Sequence, residues 1–299
     1  MTQATLTQPT NPPTEQAAQA PSMTHKARAQ LRWPIHLVLM FAALLVMLPA
    51  YFTVITSIKS EADYSANKIG LPAQIVLSNF DTAMRGGRFL IWFGNSLVLT
   101  TGAVVLSSVV AILAAFAFAW MRFPGRNALL IMITLLMVIP PVVIIVPIFL
   151  MLSQIDLIST YPGTILIYAG LVAPFAVYML TNFFRTIPKE LFEAGLIDGA
   201  SLLDLLLRVL LPLSSPAILT MVIVNALYVW NDLLVALVLL PKDNLRTVMV
   251  GITVFGSRYN SDVPVAMAGM MLASVPMIVL YLLGQRYFIR GLVAGAIKE

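Results

Sequence analysis

The sequence has no cysteine, only two histidines and few charged side chains. The absence of cysteine excludes disulfides, thiolate metal sites and a cysteine nucleophile. His25 and His36 are too few for a multi-histidine metal site, so we expect no bound metal. Charged residues make up 10% of the 299 residues, whereas about 25% is typical of soluble domains. These scarcities exclude a disordered protein and an ordinary cytosolic enzyme.

The sequence is rich in long runs of hydrophobic residues. Hydrophobic residues make up 60% of the chain and gather into runs, and a helix of about 20 residues crosses a hydrocarbon core of about 30 Å. Continuous runs of that length favour helices over the short alternating strands of a β-barrel. We therefore predict an all-α polytopic membrane protein with about six transmembrane helices. The six runs cover roughly residues 34–58, 93–120, 127–151, 161–184, 214–240 and 266–288.

The polar N-terminus and the basic loop residues indicate organisation and orientation. Residues 1–33 are rich in Pro, Thr, Gln and Ala and lack a signal-peptide apolar region, which predicts a disordered tail before a transmembrane domain at 34–299. One side of the six runs, with both termini, carries 11 of the 18 Lys and Arg residues and is predicted to be cytoplasmic. These basic residues are scattered singly between apolar runs, so we expect lipid and not nucleic acid as a partner.

The loop between the fourth and fifth runs, residues 185–212, is the most informative segment. Pro188 suits the first turn of a helix, and Gly199 suits its end. Ser201 with Asp204 three residues later forms a capping-box pattern for a second helix. The loop is thus predicted to hold two short helices joined at a glycine. Such a unit could dock into a groove of another protein, or cover the bundle as an ordinary interfacial helix.

The spacing of small and acidic residues in this loop resembles the EAA loop of ABC-importer permeases. Glu193-Ala194-Gly195, then Asp198-Gly199-Ala200, then Leu211-Pro212 follow its pattern, with Gly195 in place of the usual second alanine. In that family the loop is a coupling helix that fits a cleft on a cytoplasmic ATPase. The resemblance implies seven candidate coupling residues: Glu190, Glu193, Ala194, Asp198, Gly199, Ala200 and Pro212.

Further features are similar to the permease subunits of the MalG type, in the carbohydrate-uptake branch. Trp230-Asn231-Asp232, Thr247, Pro276 and the stretch 285–288 carry this similarity. It implies the type I importer permease fold, transport of a di- or oligosaccharide across the inner membrane, and no enzymatic activity. It also implies three partners: an ABC ATPase dimer, a second permease subunit in a heterodimer, and an extracytoplasmic sugar-binding protein. The chain has no Walker A phosphate loop, so ATP and its magnesium belong to the ATPase subunits, and we expect no cofactor on this chain.

One acidic residue falls inside a predicted span. An ionised Asp232 in the fifth run would cost about 2.5–3.5 kcal/mol at mid-membrane, so it should face the bundle interior or water. Trp230, Asn231 and Asp232 are therefore candidates for the translocation path, with Trp230 able to stack on a sugar ring. Two alternatives are a hydrogen-bonded anchor between helices and a proton relay, although no other span offers a relay partner.

Prolines within the runs and the loop at 241–264 give two further predictions. Prolines interrupt several runs, and at Pro140-Pro141 we predict a real break. The loop at 241–264 is predicted to face outside, where Arg258, Tyr259 and Asn260 are candidate contacts for the binding protein. A solvated connector is the alternative.

Two other classes of protein remain as rivals. An ion-gradient-driven secondary transporter would normally show two inverted halves, and no such repeat is visible. An intramembrane enzyme would need paired catalytic groups at membrane depth, where Asp232 stands alone.

Overall fold

The computed structural model describes residues 25–85, 88–258 and 262–296, and every regular element among them is helical. This confirms the all-α prediction. We number the helices α1 to α13 in chain order and treat the arm Leu202–Leu213 as one helix. The bounds are α1 His25–Ser57, α2 Glu61–Ala66, α3 Ser78–Arg85, α4 Phe89–Trp120, α5 Arg126–Leu135, α6 Pro141–Gln154, α7 Tyr161–Phe184, α8 Lys189–Ile197, α9 Leu202–Leu213, α10 Ser215–Asn231, α11 Leu234–Leu239, α12 Val248–Arg258 and α13 Val263–Ala296.

The chain divides into two units, Met1–Tyr51 and Phe52–Glu299. The described part of the first unit is the leading stretch of α1, which begins at His25, nine residues before the predicted span. The rest of the predicted tail, residues 1–24, lies outside the described residues. Side chains from Ile35 to Tyr51 are exposed within this chain. A helix that is apolar on all sides fits a membrane environment.

The second unit is built around the pairing of α4 with α7, while α10 packs against α13, α4 and α7. Ala103, Ala111 and Ala115 on α4 and Ala176 on α7 are fully buried. Small side chains at such positions let two helix backbones approach closely, which is how membrane helices gain packing energy in the absence of a hydrophobic driving force.

Within the described ranges, four helices are long and apolar enough to span a membrane alone: Ile35–Ser57, Phe89–Trp120, Tyr161–Phe184 and Val263–Gln285. The number rises to six if each of two bent helix pairs is counted as one span. Arg126–Val138 with Pro141–Gln154 form a pair bent by 100°, and Leu202–Leu213 with Ser215–Asn231 a pair bent by 77°. The first bend confirms the predicted break, because Pro140 is extended, at φ −65° and ψ 136°.

The fifth predicted span, 214–240, is wrong as a continuous helix. α10 ends at Asn231, and Asp232 is extended at φ −70° and ψ 131°. The Oδ2 of Asp232 accepts hydrogen bonds from the backbone N–H groups of Val235 and Ala236, at 2.9 and 3.2 Å. An aspartate that caps the following helix in this way competes with continuation of the preceding one. Asp232 therefore lies at a helix break and not inside a helix.

Candidate functional site

The loop 185–212 folds as two helical pieces joined by a tight turn at Gly199. α8 begins after Pro188, which is the N-cap residue, one position earlier than the predicted first turn. Gly199 has φ +79°, and the N–H of Ala200 donates to the carbonyl of Gly195 at 3.0 Å. A left-handed glycine with this backbone bond is a common helix ending. The structure confirms the predicted end of the helix at Gly199.

A capping box begins α9, as its sequence predicts. The hydroxyl of Ser201 accepts from the backbone N–H of Asp204 at 3.1 Å, and the Asp204 carboxylate accepts from the Ser201 N–H at 3.3 Å. The Ser201 hydroxyl also donates to that carboxylate at 2.5 Å. Arg208, one turn further along, lies 3.3 Å from the same carboxylate. The start of the arm is thus fixed by local chemistry.

Two apolar contacts attach α8 to the rest of the second unit. The ring of Phe192 stacks on Trp120 at the end of α4, with centroids 4.5 Å apart and planes at 21°. Gly195 faces the side chain of Leu205, whose Cδ2 atom lies 2.4 Å from where a β-carbon on residue 195 would stand. Leu205 begins a π-helical segment, Leu205–Leu210, inside α9. The glycine that departs from the EAA pattern therefore gives room to Leu205.

The remaining surface of α8 and its turn is open to solvent. The candidate coupling residues Glu190, Glu193, Ala194, Asp198, Gly199 and Pro212 are exposed, and Ala200 is half-buried. Three apolar neighbours are exposed with them: Leu191 at 48%, Leu196 at 46% and Ile197 at 86%. An apolar group displayed beside charges on a short protruding helix can gain burial by fitting a groove on a partner. The structure thus brings the seven candidate residues into one helix–turn–helix unit.

Sequence reasoning missed two parts of this unit. The first is the π-helical segment, for which the run of leucines gives no local signal. The second is Phe192, whose role depends on a partner, Trp120, that lies far away in the chain.

The three candidate residues of the translocation path differ in their surroundings. Trp230 is 1% exposed, and its Nε1 donates to the carbonyl of Ala273 at 3.0 Å. Asp232 accepts a hydrogen bond from the hydroxyl of Tyr168 at 2.8 Å, in addition to capping α11. Asn231 is exposed at the end of α10. The contacts of Trp230 and Asp232 are those expected for a hydrogen-bonded anchor between helices. Asp232 is half-buried, and Asn231 is the exposed residue of the three.

The loop that follows α11 is held by buried side chains of α4, and we call this set the Asn95 clamp. Asn95 Nδ2 donates to the carbonyls of Asn244 and Arg246, both at 2.9 Å, and its Oδ1 accepts from Tyr161 at 2.6 Å. The indole of Trp92 donates to the carbonyl of Asp243 at 3.0 Å. The clamp fixes residues 243–246 against the ends of α4 and α7.

Charges reinforce the same loop. Arg246 Nη1 lies 2.6 Å from a carboxylate oxygen of Asp243, and Arg88 pairs with the other oxygen. Of the candidate contacts for a binding protein, Arg258 is the last residue of α12. Tyr259 and Asn260 lie outside the described residues. No cluster of His, Cys, Asp or Glu that could hold a metal occurs in the described part of the chain.

Comparison with known proteins gives three findings. Residues 107–293 match the family model described as "Binding-protein-dependent transport system inner membrane component". A permease protein named ORF2 from Caldicellulosiruptor sp. is 38% identical, over 85% of this chain and 93% of that protein. The arabinooligosaccharides transport system permease protein AraQ of Halalkalibacterium halodurans is 30% identical, over 92% of this chain and 100% of that protein.

A solved structure has a similar fold. It is a chain from the crystal structure of a bacterial ABC transporter involved in the import of the acidic polysaccharide alginate. The match has a TM-score of 0.75 at 24% identity and covers 90% of this chain and 100% of the other. This likeness shows that the helices of this chain are arranged as in that transporter chain.

Proposed function

Because the chain belongs to the family of binding-protein-dependent transport system inner membrane components, we propose that it carries a di- or oligosaccharide across the inner membrane as one transmembrane subunit of an ATP-driven importer. The sugar class is supported by the similarity of the C-terminal half to carbohydrate permeases and by the relative AraQ, which is named as a permease for arabinooligosaccharides. The energy source would be an ABC ATPase dimer that binds ATP and magnesium.

The observation that carries the coupling proposal is the exposed α8 unit. Its charged residues Glu190, Glu193 and Asp198 surround Leu196 and Ile197 on a surface that the chain itself leaves open. We propose that this surface seats in a cleft of one ATPase subunit on the cytoplasmic side, where both termini would also lie. Movement of the ATPases on binding ATP would then reach α10 through the arm α9, which joins it directly at Ser214.

The substrate path is proposed to pass the break between α10 and α11. Asn231 would line it, while Trp230 and Asp232 would hold the break through Ala273, Tyr168 and the start of α11. A helix that is interrupted at membrane depth exposes backbone polar groups, which are tolerated where they line a cavity. A second permease subunit would supply the other wall of the path.

At the outer face, an extracytoplasmic sugar-binding protein would deliver the substrate. Arg258, Tyr259 and Asn260 are its proposed contacts on this chain. The Asn95 clamp supports this assignment because it fixes the loop that leads into α12.

The proposal is tested on the assembled importer in proteoliposomes, with sugar uptake and ATP hydrolysis measured together. Glu193→Lys should lower uptake about tenfold or more, since it reverses a charge in the proposed interface. Glu61→Lys, an exposed acidic residue in the first turn of α2, is the matched control and should leave uptake unchanged. Gly199→Pro should abolish coupling, because the φ of +79° at this position is inaccessible to proline.

Normal uptake in both coupling variants would contradict the assignment of α8. Collapse of uptake when the proton gradient is dissipated at constant ATP would instead support an ion-driven transporter. In that case the chain would function without an ATPase.

A further inference from the structure

A cavity of about 920 Å³ opens between the end of α4, the start of α5 and the face of α8 that carries Phe192. Its apolar wall includes Trp120, Phe123 and Phe192. The cavity lies between α8 and the membrane-spanning bundle. Glu193 and Leu196, which line it, also belong to the surface of α8 that we propose for the ATPase, so the two sites adjoin.

The polar lining of the cavity is dominated by positive charge. Arg122, Arg126, Arg185 and Lys189 line it, and Glu193 is the single acidic residue among the lining side chains. None of the four basic side chains forms an ion pair with a carboxylate among the described residues. A concave site with this excess of unpaired positive charge attracts an anion.

The guanidinium groups are also partly positioned by the backbone. Arg126 donates to the carbonyl of Met121 at 3.1 Å, and Arg185 donates to the carbonyl of Phe118 at 3.4 Å. Each bond uses one N–H of a group that has five. The remaining donors are free for a ligand, and the planar guanidinium matches the geometry of a phosphate.

The position of the cavity along the spans indicates where its anion comes from. Trp120 ends a 32-residue apolar helix, Arg126 begins the next helix, and Arg185 follows the last residue of α7. Ends of membrane helices lie at the level of the lipid headgroups, where tryptophan and arginine are both enriched. Three span ends therefore converge on the cavity at headgroup depth.

The exposed apolar surface of α5 begins beside the cavity. Leu129 and Met132 follow Arg126 at helical spacing and are 42% and 56% exposed, and Leu136, directly after α5, is 50% exposed. A soluble anion would make no use of this surface, whereas the acyl chains of a lipid would cover it. A ligand that fits both the basic cavity and the adjacent apolar surface carries a phosphate and acyl chains, as a phospholipid does.

We propose that this cavity binds the headgroup phosphate of an anionic phospholipid, held by Arg122, Arg126, Arg185 and Lys189. The proposal rests on the proposed function only in placing this end of the spans in the cytoplasmic leaflet, which is rich in such lipids in many membranes. Since Phe192 and Glu193 lie on the cavity wall, a bound headgroup supports α8 from behind.

The test is binding of lipid to the delipidated full chain in neutral detergent, followed by native mass spectrometry. Phosphatidylglycerol, phosphatidylcholine with the same acyl chains, and inorganic phosphate are the three probes. We expect phosphatidylglycerol to bind at least tenfold more tightly than phosphatidylcholine. Millimolar inorganic phosphate should leave the bound lipid in place.

Substitutions localise the site. Arg122→Gln with Arg185→Gln should weaken binding of phosphatidylglycerol about 25-fold, at about fivefold for each basic side chain removed. Arg85→Gln with Arg208→Gln is the matched control, because these side chains are 81% and 80% exposed and line no part of the cavity. Lys189→Gln alone, with about a fivefold effect, serves if the double variant is not monodisperse.

Equal binding of the two phospholipids, or equal effects of the cavity and control pairs, would overturn the proposal. Displacement of the lipid by inorganic phosphate would show a site for free anions. If the double variant bound lipid normally but lost the ATPase, the cavity would belong to the protein partner. Because lipid binding is measured on the isolated chain, its outcome is independent of whether α8 couples to an ATPase.

Discussion

The two loops that connect helices on either side of α10 are built in opposite ways. The loop after α11 is fastened by buried side chains, with Asn95 only 4% exposed and bonded to two backbone carbonyls. The α8 unit, in contrast, is attached by the Phe192 stack and the contact between Gly195 and Leu205. Its most apolar surface residue, Ile197, is 86% exposed.

In the Asn95 clamp the chain supplies the partners of its own polar groups, whereas on α8 it leaves apolar side chains uncovered. Buried polar groups need partners within the fold, so the Asn95 clamp should contribute to the stability of the isolated chain. An exposed apolar side chain adds no burial free energy to the isolated chain. Ile197 should therefore stabilise only an assembly in which a partner covers it. Substitutions in the two loops should therefore separate stability from partner binding.

Among the substitutions that should leave the chain folded, the largest loss of stability is expected from Gly251→Ala. Gly251 on α12 lies against the indole of Trp92, and an added β-carbon would overlap the ring. Trp92 is buried and bonded to the carbonyl of Asp243, so the ring has no room to move. We expect about 3 kcal/mol of destabilisation, seen as an unfolding temperature about 6–10 °C lower in detergent.

A matched glycine tests whether packing is the cause. Gly170 lies on the exposed side of α7 with no atom near the place of a β-carbon. Gly170→Ala should leave the unfolding temperature unchanged or slightly raised, because alanine is the better helix former. Equal behaviour of the two variants would mean that Gly251 is not tightly packed.

The second effect in size is expected from Asn95→Leu. It leaves the carbonyls of Asn244 and Arg246 and the hydroxyl of Tyr161 without this partner, which should cost about 2–3 kcal/mol. Tyr161→Phe removes one of the three bonds and should cost about 1 kcal/mol. The measurement is again thermal unfolding, with the exposed Asn182→Leu as control. A loss no greater than that of the control would show that the clamp is dispensable.

The local features of the fold could be predicted from sequence because their causes are local. Helix ends at Gly199 and Ser201 follow from side-chain chemistry within a few residues, and the break at Pro140 follows from the missing backbone donor. The length of the apolar runs predicted the four unbroken spans, but not the end of the fifth at Asn231. Asp232 was misplaced because an apolar run does not reveal that a carboxylate caps the next helix.

The tertiary features of the candidate site could not be predicted in this way. The stack of Phe192 on Trp120 and the hydrogen bonds from Asn95 join residues far apart in the chain. Gly195 illustrates the same limit. In sequence it is a weak helix former, and only the structure shows that the side chain of Leu205 lies too close for a β-carbon there. The EAA spacing identifies the loop, whereas the way the loop is attached depends on contacts that no local pattern records.

The smallest effect on stability, and the sharpest test of the comparison, is expected from Ile197→Asp. Ile197 is almost fully exposed, so the unfolding temperature of the isolated chain should shift by the equivalent of less than about 0.5 kcal/mol. Leu210→Asp, in the same connection but buried to 2% exposure, is the matched control and should unfold or aggregate the chain. In the assembled importer Ile197 should matter more than in the isolated chain, because burial of an isoleucine in a partner's groove contributes about 2 kcal/mol to binding. Ile197→Asp should therefore weaken ATPase binding about 30-fold, measured by co-purification across a concentration series, while the chain itself stays folded. A stable variant that retained the ATPase at full affinity would show that the exposed surface of α8 is simply solvated, and the contrast between the two loops would then reflect stability alone.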